Sequence, residues 1–133
     1  MSHLIDKSNT NFLSAQSLNQ SKIYCSSVHC SYYSSVQLMK HIVLTVIGMS
    51  ENQIRAEKKQ TESGTHEFLI NKVLIQLRNK GGDWRTFQAD IGDAKILRVK
   101  SDYKDEEILD KDSDDSLQLA TKNNQILKSV FNL

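Results

Sequence analysis

Arg98 and Asp102 stand where charges are rarely placed. With Ile91 set at zero and about 100° advanced per residue, Trp84 falls at about +20°, Phe87 at about −40° and Ala94 at about −60°. Those residues define the apolar side of one helix. Arg98 then falls at about −20° and Asp102 at about +20°, on the axis of that side. The two are four residues apart, so each reaches the other across one turn. Buried charges need partners, so this spacing predicts an ion pair that either locks the helix to its neighbours or faces a ligand. His66, at the start of the preceding helical segment, is a candidate third member.

Cys25, His29 and Cys30 invite a zinc reading. Cys25 and His29 share a helical face while Cys30 points elsewhere, His41 is too far along, and a structural zinc needs four protein ligands. No metal and no cofactor is expected. Gly81-Gly82-Asp83 lacks the Lys-Ser/Thr of a phosphate loop and reads as a turn between helices. The acidic run from Asp105 to Asp115 lacks the alternation of a calcium loop and reads as solvated surface.

These residues need helices to position them. A short first helix is expected over Thr10 to Asn19, after a flexible run over 1–9. Tyr24, Val28, Tyr32, Val36, Met39, Val43 and Val46 step by three and four through a segment without Gly or Pro. The pattern predicts one helix from Ser21 to Ile47, roughly 40 Å long at 1.5 Å per residue, closed by Gly48. Ser27, Ser31 and Ser34 beside the stripe would admit a close neighbour. Ser50 to Gly64 reads as partly helical and loop-like. A third core helix starts near Thr65 and ends at Gly81-Gly82. A fourth runs from the cap Asp83 to about Tyr103, and a fifth begins near Ser113. Ile23, Tyr33, Leu38, Ile42 and Ile47 are apolar beyond the main stripe, which predicts a homodimer packed partly through the second helix.

Composition bounds the class. The chain has 133 residues, of which 36 are Leu, Ile, Val or Phe, enough for one core. It has no proline and five glycines, which favours long helices over many turns. Seventeen basic against sixteen acidic residues give a net charge of +1, which disfavours a basic nucleic-acid clamp or a polybasic membrane binder. Two cysteines make no disulfide framework. No targeting or membrane-spanning stretch is apparent, so a cytoplasmic protein without a membrane partner is expected.

Several of these segments resemble the HEPN domains, the higher-eukaryote and prokaryote nucleotide-binding domains. Tyr32-Tyr33-Ser34-Ser35 is similar to that family's Tyr-Tyr-Ala segment, and Ser63-Gly64-Thr65-His66 to its His-led start of the third helix. Arg98-Val99-Lys100-Ser101-Asp102-Tyr103 is similar to its Arg-x-x-Ala-Asp-Tyr element. The resemblance spans residues 10–133 as one domain. It implies an all-α, up-and-down antiparallel bundle of about five helices, often dimeric, working near nucleotides or RNA. It also implies a bacterial toxin–antitoxin or defence setting, with a nucleotidyltransferase as possible partner. The family's ribonucleases carry Arg, four to six residues, then His, and no arginine here is followed by His at that spacing. The expected function is therefore non-catalytic binding, with Tyr33, His66, Arg98, Asp102 and Tyr103 at the ligand. The alternatives are a metal-independent ribonuclease using Arg98, His66 and Tyr103, and a structural bundle without ligand.

Overall fold

The computed structural model describes residues 2–133. The described residues form an all-α helical bundle of six α-helices: α1 (Leu4–Gln20), α2 (Tyr24–His41), α3 (Glu51–Thr61), α4 (Thr65–Asn79), α5 (Trp84–Tyr103) and α6 (Asp110–Phe131). The hairpins α1–α2, α4–α5 and α5–α6 run antiparallel. α2 is the central helix and packs against α1, α4, α5 and α6.

Four differences from the sequence expectation have physical causes. The first helix begins at Leu4, so 4–9 belong to the packed body rather than to a flexible run. Ser8 is buried there and its hydroxyl donates to the Ser34 carbonyl at 2.6 Å. The second helix does not continue regularly to Ile47. It passes at Ile42–Val46 into a π-helical turn, in which the Ile47 amide donates to the Ile42 carbonyl at 2.9 Å. The Thr45 hydroxyl donates to the His41 carbonyl at 2.7 Å, so a side chain competes for an acceptor of the regular ladder. The widened turn leaves Val46 exposed although it continues the stripe. Gly48 follows with φ +81, the left-handed conformation that glycine adopts without strain.

The third difference is an additional helix, α3. Ser50 and Gln53 form a capping box: the Gln53 amide donates to Ser50 Oγ at 3.1 Å, and the Ser50 amide to Gln53 Oε1 at 2.8 Å. Only Ile54 of α3 is buried. Fourth, α6 begins at Asp110 rather than Ser113, because the Asp112 carboxylate accepts from the Leu109 amide at 3.0 Å and closes the first turn early.

α2 is packed by its own chain on most of its circumference. Leu38 and Ile42, apolar beyond the stripe, are fully buried by the chain's own helices, whereas Ile23 is 49% exposed and Tyr33 and Ile47 are partly buried, so only part of the surplus apolar set is left for a second copy. Its small residues serve internal neighbours. Ser27 Oγ donates to the Ala15 carbonyl of α1 at 2.8 Å. Ser35 Oγ donates to Asn124 Oδ1 of α6 at 2.7 Å, and Asn124 Nδ2 donates to Ser34 Oγ at 3.0 Å. The serine side chains let three backbones approach and satisfy one another's polar groups.

Leu127 is fully buried where α6 meets this core, while Leu13 on α1 is 64% exposed. Urea denaturation of Leu127→Ala is expected to show a loss of about 2–5 kcal/mol. Leu13→Ala should stay within about 0.5 kcal/mol of the parent. Equal losses would contradict this core.

Candidate functional site

Three helices converge on one polar corner. α2 supplies His29, Tyr32 and Tyr33; α4 supplies His66 from its first turn; α5 supplies Arg98, Asp102 and Tyr103 from its last two turns. The α2 and α5 ends are held in register by a reciprocal contact. Cys25 Sγ donates to the Ser101 carbonyl at 3.2 Å, and Ser101 Oγ donates to the Cys25 carbonyl at 2.8 Å.

Arg98 is the centre. It continues the buried face of Phe87, Ile91 and Ala94, as the helical angles predict, and is 7% exposed. Its guanidinium carbon lies 5.2 Å from the Tyr32 ring centroid, 5.3 Å from that of Tyr103 and 6.0 Å from that of Tyr33. The quadrupoles of these rings attract the cation. Nη2 donates to His66 Nδ1 at 3.3 Å and Nη1 to Tyr103 Oη at 3.4 Å. Nε is buried without a partner.

The predicted Arg98–Asp102 pair forms, at 3.7 Å, but it is the looser of two contacts made by that carboxylate. Asp102 accepts more closely from His29 Nδ1, at 2.9 and 3.1 Å to its two oxygens. His29 stacks on Tyr33 with centroids 4.5 Å apart, and Tyr33 meets His66 edge-on at 5.5 Å. Arg98 is thus only partly neutralised by the one carboxylate beside it.

The state of His66 follows from these contacts. Arginine is always a donor, so His66 Nδ1 is the acceptor and its ring proton sits on Nε2. The Tyr32 hydroxyl also lies 3.2 Å from Nδ1. Burial, then the Arg98 charge, then the Lys95 charge, hold the imidazole below its ordinary value. Burial pushes the Tyr32 phenol up to about 12, against the pull of Arg98. Both groups are neutral at pH 7.

All five residues expected at a ligand, Tyr33, His66, Arg98, Asp102 and Tyr103, therefore meet in one cluster. The corner is filled by side chains rather than being an open cleft. Tyr103 is exposed, at 72%, and His29 and Asp102 are exposed beside it. Two further members were not expected there. Tyr32 reads as core from its place on the stripe, and His29 reads as a metal ligand or packing residue. The signal for His29 is its four-residue spacing from Tyr33, which puts both on one face of α2. Cys30 lies away from the cluster in sequence register and is half-buried. Among the described residues no group of three or more His, Cys, Asp or Glu side chains is placed to hold a metal ion. Compared with protein families, curated proteins and solved structures, the chain finds no match.

The depressed His66 value gives a signed expectation. The unfolded chain takes up the proton first as pH falls below about 6.5, so the His66 contribution is present above that pH and is lost on acidification. His41, lowered by burial, acts in the same direction. Denaturation between pH 7.5 and 5 should show stability falling with pH, with a shallower fall in His66→Gln. An identical slope in both proteins would contradict the buried, neutral His66.

Proposed function

We propose that this chain is a non-catalytic, HEPN-type binding protein that takes the phosphate of a nucleotide or RNA at Arg98, beside the rings of Tyr33 and Tyr103. The observation that carries the reading is the incompletely neutralised guanidinium. It has an unpartnered Nε, a single carboxylate at 3.7 Å, and aromatic rings on several sides. An anion would supply the missing acceptor, and a base would add stacking area on the rings. Tyr103 is the side chain to turn aside on entry, since exposed rotamers change rapidly. The resemblance adds a nucleotidyltransferase partner, a homodimer and a toxin–antitoxin or defence setting to the same proposal.

The ribonuclease alternative is weaker on chemical grounds. RNA cleavage through the 2′-hydroxyl needs a base with a free lone pair. The His66 Nδ1 lone pair already accepts from Arg98, and the Tyr32 phenol is held protonated.

Calorimetric titration with AMP, ATP, adenosine and inorganic phosphate, together with a labelled single-stranded RNA followed on a gel, tests the reading. Nucleotides should bind at least about tenfold more tightly than adenosine, a difference of about 1.4 kcal/mol. Tyr103→Ala should weaken binding without lowering the melting temperature, and the RNA should remain intact. Absence of binding to every probe at millimolar concentration would leave the structural bundle. RNA shortening by the parent protein that is lost in Arg98→Lys would establish the ribonuclease instead.

A further inference from the structure

One carboxylate serves two basic side chains where α2 meets α5, and serves them unequally. Asp102 reaches His29 Nδ1 with both oxygens, at 2.9 and 3.1 Å, and Arg98 Nη1 only at 3.7 Å. The nearer contact to His29 and the contact to Arg98 use the same oxygen, Oδ2. Whatever draws that oxygen toward His29 therefore draws it off Arg98. Asp102 makes no other ion pair among the described residues. Helix stability does not explain its place. It stands in the last turn of α5, where the macrodipole disfavours a carboxylate, and an acid four residues after a base is the weaker order for helix support.

His29 is itself anchored. Its ring stacks on Tyr33, one turn further along α2, with centroids 4.5 Å apart and planes tilted by 30°. One turn before it, Cys25 and Ser101 bond each other's carbonyls at 3.2 and 2.8 Å, which fixes α2 against α5 beside Asp102. The imidazole is a held donor, and the carboxylate is the part that moves. Rotation about its side-chain bonds would carry it one helical turn back onto the guanidinium, where charge-assisted hydrogen bonds would close on it.

We infer that His29 is a positioning residue that holds Asp102 off Arg98, and that Asp102 is a built-in competitor for the anion. The role rests on the reading of Arg98 as an anion site. An anion and the Asp102 carboxylate seek the same positive charge, so each opposes the other there. Drawn to His29, the carboxylate leaves the guanidinium short of an acceptor. Released from His29, it would supply that acceptor and close the site. Asp102 works against the ligand rather than as one of its contacts, and His29 favours the ligand without touching it. A His29 that donated to the anion from Nε2 would respond differently to removal of Asp102.

Calorimetric titration with sulfate at pH 7 tests this in the parent, Asp102→Asn, His29→Phe and the double variant. Sulfate is dianionic there, so ligand protonation does not enter. His29→Phe keeps a ring on Tyr33 and removes the donor. Asp102→Asn should bind sulfate about three- to fivefold more tightly than the parent, and His29→Phe about three- to fivefold more weakly, the size expected of a half-exposed charge pair. The double variant should match Asp102→Asn, because His29 acts only through the carboxylate. Unchanged or weaker binding by Asp102→Asn would overturn the inference. So would a further loss on adding His29→Phe to Asp102→Asn, which would put His29 on the anion itself. The ligand-free protein gives a second readout, the NMR signals of the Arg98 guanidinium N–H groups. They should move when His29→Phe is made in the parent, and far less when it is made in Asp102→Asn. Equal shifts in both backgrounds would overturn the positioning role. If none of the four proteins binds sulfate or AMP while that NMR coupling holds, the anion reading of Arg98 fails and the positioning of Asp102 by His29 stands.

Discussion

A guanidinium set at the end of a hydrophobic core constrains everything near it. Arg98 lies on the buried face of α5, and leaving that cation without partners would cost several kcal/mol. The chain answers with groups from three helices rather than with one strong salt bridge. Tyrosine rings lie against the charge, the His66 lone pair accepts one N–H, and Asp102 stands 3.7 Å away while binding His29 more closely. Distributed compensation of this kind ties the positions of α2, α4 and α5 to one another. It also keeps Arg98 available, because no carboxylate holds it in a two-bond clamp.

The opposite side of α2 solves a different problem. A helix that packs against four others needs thin residues where backbones come close, and a run of serines provides them. Serine carries a hydroxyl that must find a partner when buried. Ser8, Ser27, Ser34 and Ser35 each find one on a neighbouring helix or turn. The result is a polar seam between α1, α2 and α6 beside an aliphatic core centred on Leu38, Met39, Phe87 and Leu127. The seam fixes which helix lies against which, since sliding α1 or α6 by a turn would strand hydroxyls in a dry interior. Ser31 of α2 and Ser116 and Asn123 of α6 are buried with polar side-chain atoms left unpartnered, so the matching is incomplete on both helices.

Periodicity made the helices legible, and it placed Arg98 on a buried face before any contact was known. The same arithmetic could not tell how far down the α5 face Asp102 lies from the guanidinium, nor that His29 competes for it, because cross-helix partners are not encoded in one helix's spacing. The charged composition of Ser50 to Gly64 favoured a partly loop-like reading, and the Ser50–Gln53 capping box that starts α3 outweighed it. The π-helical turn was hidden because Val43 and Val46 keep a regular three-residue step while the Thr45 hydroxyl disrupts the backbone ladder. The extra apolar residues of α2 were read as surface in need of a second copy. Leu38 and Ile42 instead face other helices of the same chain, and a count of apolar positions does not say whose neighbours cover them.

α5 explains why apolar patterning alone underdetermines such a chain. Apolar residues occur on both of its sides, Phe87, Ile91 and Ala94 inward and Ile96, Val99 and Tyr103 outward, so the helix looks only weakly amphipathic although one face is a true core face. An outward strip of this kind is a hazard for self-association unless something opposes it. Asp93 and Lys100 stand along one edge of it and Lys95 and Asp102 along the other, so each edge carries both signs. Charged groups along both edges keep water at the borders of the strip, which limits the apolar area that a second copy could cover.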